Sequence, residues 1–64
     1  MITHFRAYSG DGHVLAEGPA SDAGVDFSSD AVVDTVVFYS GADDDATVAA
    51  VAQVGSSGPI SAKP

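Results

Sequence analysis

Sixty-four residues make one domain at most, and the chain carries a formal net charge of −7, from eight Asp and one Glu against Arg6 and Lys63 alone. That balance excludes electrostatically driven nucleic-acid binding, because nothing is available to replace counterions along a phosphate backbone, and it disfavours an anionic membrane surface. With no cysteine, disulfides and thiolate metal sites are excluded as well.

A chain this short buries only about 60% of the surface that its unfolded form exposes, so help from oligomerisation or a metal is the usual remedy. The hydrophobic content of 45% overstates the core, since eleven of those residues are Ala, nine are Val, two are Ile and one is Leu. Ordering costs on the order of 1.5 kcal/mol per residue, and Ala and Val return little apolar area each. The balance favours an oligomer or an assembly subunit.

Residues 1–8 read as a strand, with Thr3, Phe5 and Ala7 on one face and Ile2, His4, Arg6 and Tyr8 on the other. Ser9, Gly10, Asp11 and Gly12 form a tight-turn cluster. Residues 13–17 return as a short strand that Gly18 and Pro19 end, which completes a first hairpin. Residues 20–29 are small and polar apart from Val25 and Phe27, and read as a loop pinned by those two side chains, with room for a short edge strand. A helix is disfavoured there, because Asp22, Asp26, Asp30 and Asp34 would stack like charges at spacing four.

Residues 31–40 carry four valines, a threonine and two aromatics, a strong strand signature. Strict alternation places Ala31, Val33, Thr35, Val37 and Tyr39 on one face, and Val32, Asp34, Val36, Phe38 and Ser40 on the other. Near-continuous apolar runs belong to strands covered on both sides, and so small a domain can rarely cover both faces of its own central strand. An acidic turn over residues 41–45 follows. Residues 46–54 then form either a strand returning on 31–40 or, over 45–54, a helix capped by Asp45 and ended by Gly55; the short hairpin loop favours the strand. Residues 1–55 are thus expected to form one small β domain, and residues 56–64, with Ile60 as their one large apolar side chain, an extended C-terminal tail. Tyr-Ser-Gly opens both turns, at 8–10 and at 39–41, a weak echo that supports two hairpins.

The expected fold is all-β: two hairpins of about four strands, forming a partly open barrel or half a sandwich. The alternative is α+β, with the helix at 45–54.

Candidate chemistry is sparse. His4 and His13 lie on the two arms of the first hairpin, but pairing Tyr8 with His13 sets His4 opposite Glu17, so a cross-strand polar pair is the better reading than a metal site. Asp43, Asp44 and Asp45 lack the alternating ligands, the sharp-turn Gly and the distal Glu of a calcium loop, and read as a solvated turn. Gly10 and Gly12 flank Asp11 without the third glycine, the following helix or the Lys of a phosphate-binding loop. Ser, His and Asp occur without a nucleophile elbow. No enzyme, metal, cofactor or small-molecule substrate is expected. Aromatics on strands are favoured at buried interface centres, which singles out Phe38, Tyr39 and Tyr8. The interface set read from the sequence is Val33, Val37, Phe38, Tyr39 and Ile60.

The Asp-rich, Lys-poor, Ala/Val/Gly-rich composition resembles that of proteins from salt-accumulating halophilic archaea and their viruses, while an acidic protein of a GC-rich bacterium or its phage fits equally. No apolar run nears the roughly 18 residues of a membrane span, and the N-terminal residues carry no signal-peptide h-region. The expectation is a non-enzymatic structural or assembly protein acting through protein partners or homo-oligomerisation. Its most concrete version is a minor virion component (capsid, cementing or spike-associated) of a halophile-type virus, located in the virion or the host cytoplasm and not exported by a signal peptide. The alternative is a small acidic cytoplasmic adaptor or regulatory module binding one protein partner.

Overall fold

Alternating β-branched and aromatic side chains draw the chain into extended structure, and the computed structural model, which describes every residue except Asp43, is all-β. Its strands are β1 (His4–Tyr8), β2 (Val14–Pro19), β3 (Val25–Ser40) and β4 (Thr47–Ala62). They form one antiparallel sheet in the order β2-β1-β3-β4. Two hairpins, β1–β2 and β3–β4, are therefore joined through the β1–β3 pairing. The sheet stays open, with a seam of about 470 Å³ along Leu15 and residues 28–31. The segment at 45–54 is not a helix; from Thr47 it is strand and pairs along β3, satisfying backbone groups that an isolated helix would leave unpaired on β3.

Both members of the second hairpin are longer than the sequence suggests. The loop expected over 20–29 gives way to strand at Val25, and the expected tail from residue 56 is instead the second half of β4, with Ile60 and Ala62 buried. The two segments make strands of each other: Val25 pairs with Ala62, Phe27 with Ile60 and Ser29 with Gly58. Neither carries a strong strand signature alone.

Bulges bend this hairpin. Residues 30–32 oppose Ser57 alone, and residues 54 and 55 oppose Asp34 alone, with Gly55 and Gly58 at φ +76° and +82°. Inserted residues increase local twist and turn a strand toward a new direction. They also break the alternation: Val33 and Val36, expected on opposite faces, are both fully buried. Beyond the bend, the open end of the hairpin lies over β1, where the Phe27 and Phe5 rings sit 5.1 Å apart. The core so enclosed is Ile2, Phe5, Ala7, Val33, Val36, Phe38, Ile60 and Ala62. Ile2, read from alternation as sharing the His4 face, precedes β1 and is buried.

A tight turn over residues 21–24 feeds β3. The Asp22 carboxylate accepts from the Ile2 amide at 2.8 Å, and the Gly24 amide donates to the Ser21 carbonyl at 3.0 Å. Gly24 has φ +103° and lies against the backbone of Ala62 and Lys63, so it closes the molecule where the chain ends meet.

Candidate interaction surface

With Phe5 and Ala7 committed to the core, β1 presents His4, Arg6 and Tyr8 to the outer side of the sheet, and register carries that side across the strands. Pro19, His4, Tyr39 and Val48 form one row. Glu17, Arg6, Val37 and Val51 form the next, and Val14, Tyr8, Thr35 and Gln53 the third. Tyr39 is the centre of this face. The His4 ring stacks on it at 5.1 Å and 11°, the Arg6 guanidinium lies 5.5 Å from its centroid, and its hydroxyl is 2.9 Å from that of Tyr8. The Tyr8 hydrogen bond, followed by partial burial, raises the Tyr39 phenol pKa above its ordinary value. Arg6 also donates from Nε to the Glu17 carboxylate at 3.2 Å.

That last contact corrects the expected His4–Glu17 pair: His4 lies opposite Pro19, and Arg6 opposite Glu17. The hairpin closes with Tyr8 against Val14, and a bulge at Leu15 shifts the remaining register. His13 instead lies at the turn, 4.0 Å from the Asp11 carboxylate. Asp11 accepts from the Ser9 hydroxyl, which with His13 holds its carboxyl below the usual range.

The interface set divides. Val37 and Tyr39 lie on the outer face, half-buried. Val33, Phe38 and Ile60 do not: all three are in the core and offer no surface to a partner. The bulges at 30–32 and 54–55 fold the hairpin back on itself, which turns Val33 and Ile60 inward, and Phe38 faces Phe5 across the β1–β3 ladder. Missing from that set are Val48 and Val51 on β4, 60% and 54% exposed. Their signal was present in the neutral apolar run at 46–54, but the partner rows that make them one surface with Tyr39 depend on register.

Among the described residues, no polar or charged residue is buried, and no group of three or more His, Asp or Glu is gathered as a metal would need. Asp43 of the acidic turn lies outside the described residues; Asp44 and Asp45 are exposed. An open groove of about 240 Å³ runs along His4, Phe5, Arg6, Glu17 and Gly18. None of the described residues forms a helix long and apolar enough to cross a membrane. Comparison with protein-family models, with curated proteins and with solved structures finds no match to this chain.

Proposed function

We propose that this chain is a non-enzymatic assembly subunit that works through protein–protein contacts on the outer face of its sheet. One observation carries the reading: exposed Val48 and Val51 lie beside half-buried Val37 and Tyr39 on a sheet face over which no other strand packs, although an opposite core of eight residues is fully formed. Tyr and Arg are the residue types that most often anchor interfaces, and here Arg6 and Tyr39 are already held against each other. The charge of −7 fits an assembly that forms in concentrated salt, where repulsion between copies is screened to within about 3 Å at 1 M. A minor virion component of a halophile-type virus is the concrete form of this role.

Light scattering coupled to size exclusion in 0.1 M and 2 M KCl tests it. Association in 2 M KCl that a Tyr39→Ala variant weakens is the expected result. A monodisperse monomer at both salts and at high protein concentration overturns the assembly role.

A further inference from the structure

The two edges of the sheet are unequal. β2 is guarded in the ways sheet edges commonly are: it is short, carries Glu17, is bulged at Leu15 and ends in Pro19. β4 pairs with β3 alone, so its other side presents unpaired backbone N–H and C=O groups. Residues 47–54 of that edge, Thr-Val-Ala-Ala-Val-Ala-Gln-Val, contain no charge, no proline and no glycine. The bulge at Ala49 and the bulge at Val54 and Gly55 bound a regular run of four residues, 50–53. Unguarded neutral edges of high β-propensity are the ones that accept another strand.

We infer that β4 adds to β4 of a second copy of this chain, antiparallel about a two-fold axis at Ala52, so that two four-stranded sheets become one of eight. This rests on the assembly reading above and names its partner.

Three features select a second copy in this arrangement. A two-fold axis normal to the sheet keeps like faces together, so paired residues share parity and residues 51–53 close on themselves within the regular run. Ala52 then meets Ala52, and Val51 meets Gln53. Next, Ala50, Ala52 and Val54 pack against the core and are themselves half-buried; the same residues of a second copy continue that apolar layer. Last, charge decides the direction. Antiparallel addition sets the two acidic turns at opposite ends of the paired run, whereas parallel addition would lay them side by side. No positive patch is needed, and the chain has none: Arg6 is engaged with Glu17 and Tyr39.

The chain contains no cysteine, so a single introduced thiol reports its own neighbourhood. Cα atoms of directly paired antiparallel residues lie about 4.5–5.5 Å apart, within disulfide range. Ala52→Cys and Val37→Cys variants are oxidised in 2 M KCl and run on non-reducing gels, with light scattering on the unmodified chain alongside. Val37 lies one strand in from the edge, on the outer face. The expected result is a dimer mass with Ala52→Cys cross-linking at least tenfold faster than Val37→Cys. Association with equal rates, or with Val37→Cys faster, overturns edge addition and leaves the assembly role standing, by face-to-face stacking. A monomer in scattering, with neither variant cross-linking, overturns both.

Discussion

Replacing Phe38 by Ala separates a core role from an interface role. Phe38 is fully buried in the chain itself, between Phe5 on β1 and Ala50 on β4. Truncating a buried Phe costs about 3–5 kcal/mol, from lost transfer free energy and the cavity left behind. At roughly 0.05–0.15 kcal/mol per residue, a domain of 64 residues has a total stability of about 3–10 kcal/mol. The substitution therefore removes about a third to a half of that total at its upper bound and all of it at its lower bound. Urea unfolding followed by circular dichroism, at micromolar protein and fixed salt, reads the change directly. Phe38→Leu, which retains most of the apolar volume, should recover over half of the loss. If Phe38→Ala shifts stability by less than about 1 kcal/mol while abolishing association, Phe38 faces a partner and the packing described here is wrong.

Gly24→Ala should cost at least about 1 kcal/mol, because φ is +103° and the new methyl would collide with the Ala62 carbonyl while lying 3.3 Å from the Lys63 Cα. Gly10→Ala, which meets nothing within 4 Å and has no positive φ, is the matched control and should change stability by under about 0.5 kcal/mol. Tyr8→Phe should bring the Tyr39 pKa down toward the ordinary phenol value, read from tyrosinate absorbance at 295 nm; no downward shift would remove Tyr8 as the cause. Because the folded pKa of Tyr39 is raised, its contribution to stability is whole below about pH 10 and is lost as pH rises through the folded value, so the unmodified chain should lose more stability than Tyr8→Phe at the alkaline end. The melting temperature should rise between 0.1 M and 1 M NaCl at constant protein concentration, since exposed Asp26, Asp30 and Asp34 repel along β3; a flat salt profile would show that this repulsion does not limit stability.

The all-β architecture was legible because its signals are local. Valines and aromatics mark the second half of β3, and the Ser-Gly-Asp-Gly cluster marks the first turn, where the Gly12 amide donates to the Ser9 carbonyl and Gly12 takes φ +90°. What escaped was non-local. Residues 25–29 and 56–62 are rich in Ser, Gly and Pro, which depress strand propensity, and they become strand because Phe27 and Ile60 meet in one ladder. Face assignment failed at residues 30–32 for a related reason: a period of two holds only until extra residues intervene, and nothing in Asp30-Ala31-Val32 announces that they face one residue of β4. For the outer surface, alternation along β1 grouped His4, Arg6 and Tyr8 correctly, but their convergence on Tyr39 follows from the β1–β3 register.

These misses revise where the apolar excess of the chain resides. The central valine-rich strand was expected to need a neighbour on one whole face; folding the long hairpin over β1 supplies that cover from within, using Phe27, Ile60 and Ala62 from segments that looked like loop and tail. What remains uncovered is narrower: the outer rows around Tyr39 and the free side of β4, which meet at Val48 and Val51, and Val32 in the β3 bulge, 59% exposed. Val48 and Val51 differ from Val32 in their neighbours along the chain: Val32 lies between Asp30 and Asp34, whereas residues 46–62 carry no Asp. A chain that spends eight of its nine acidic residues on turns and strand exteriors, yet none between Ala46 and Ala62, keeps one strip free of charge repulsion. Repulsion everywhere else limits the ways two copies can meet, and that strip is where contact costs least electrostatically.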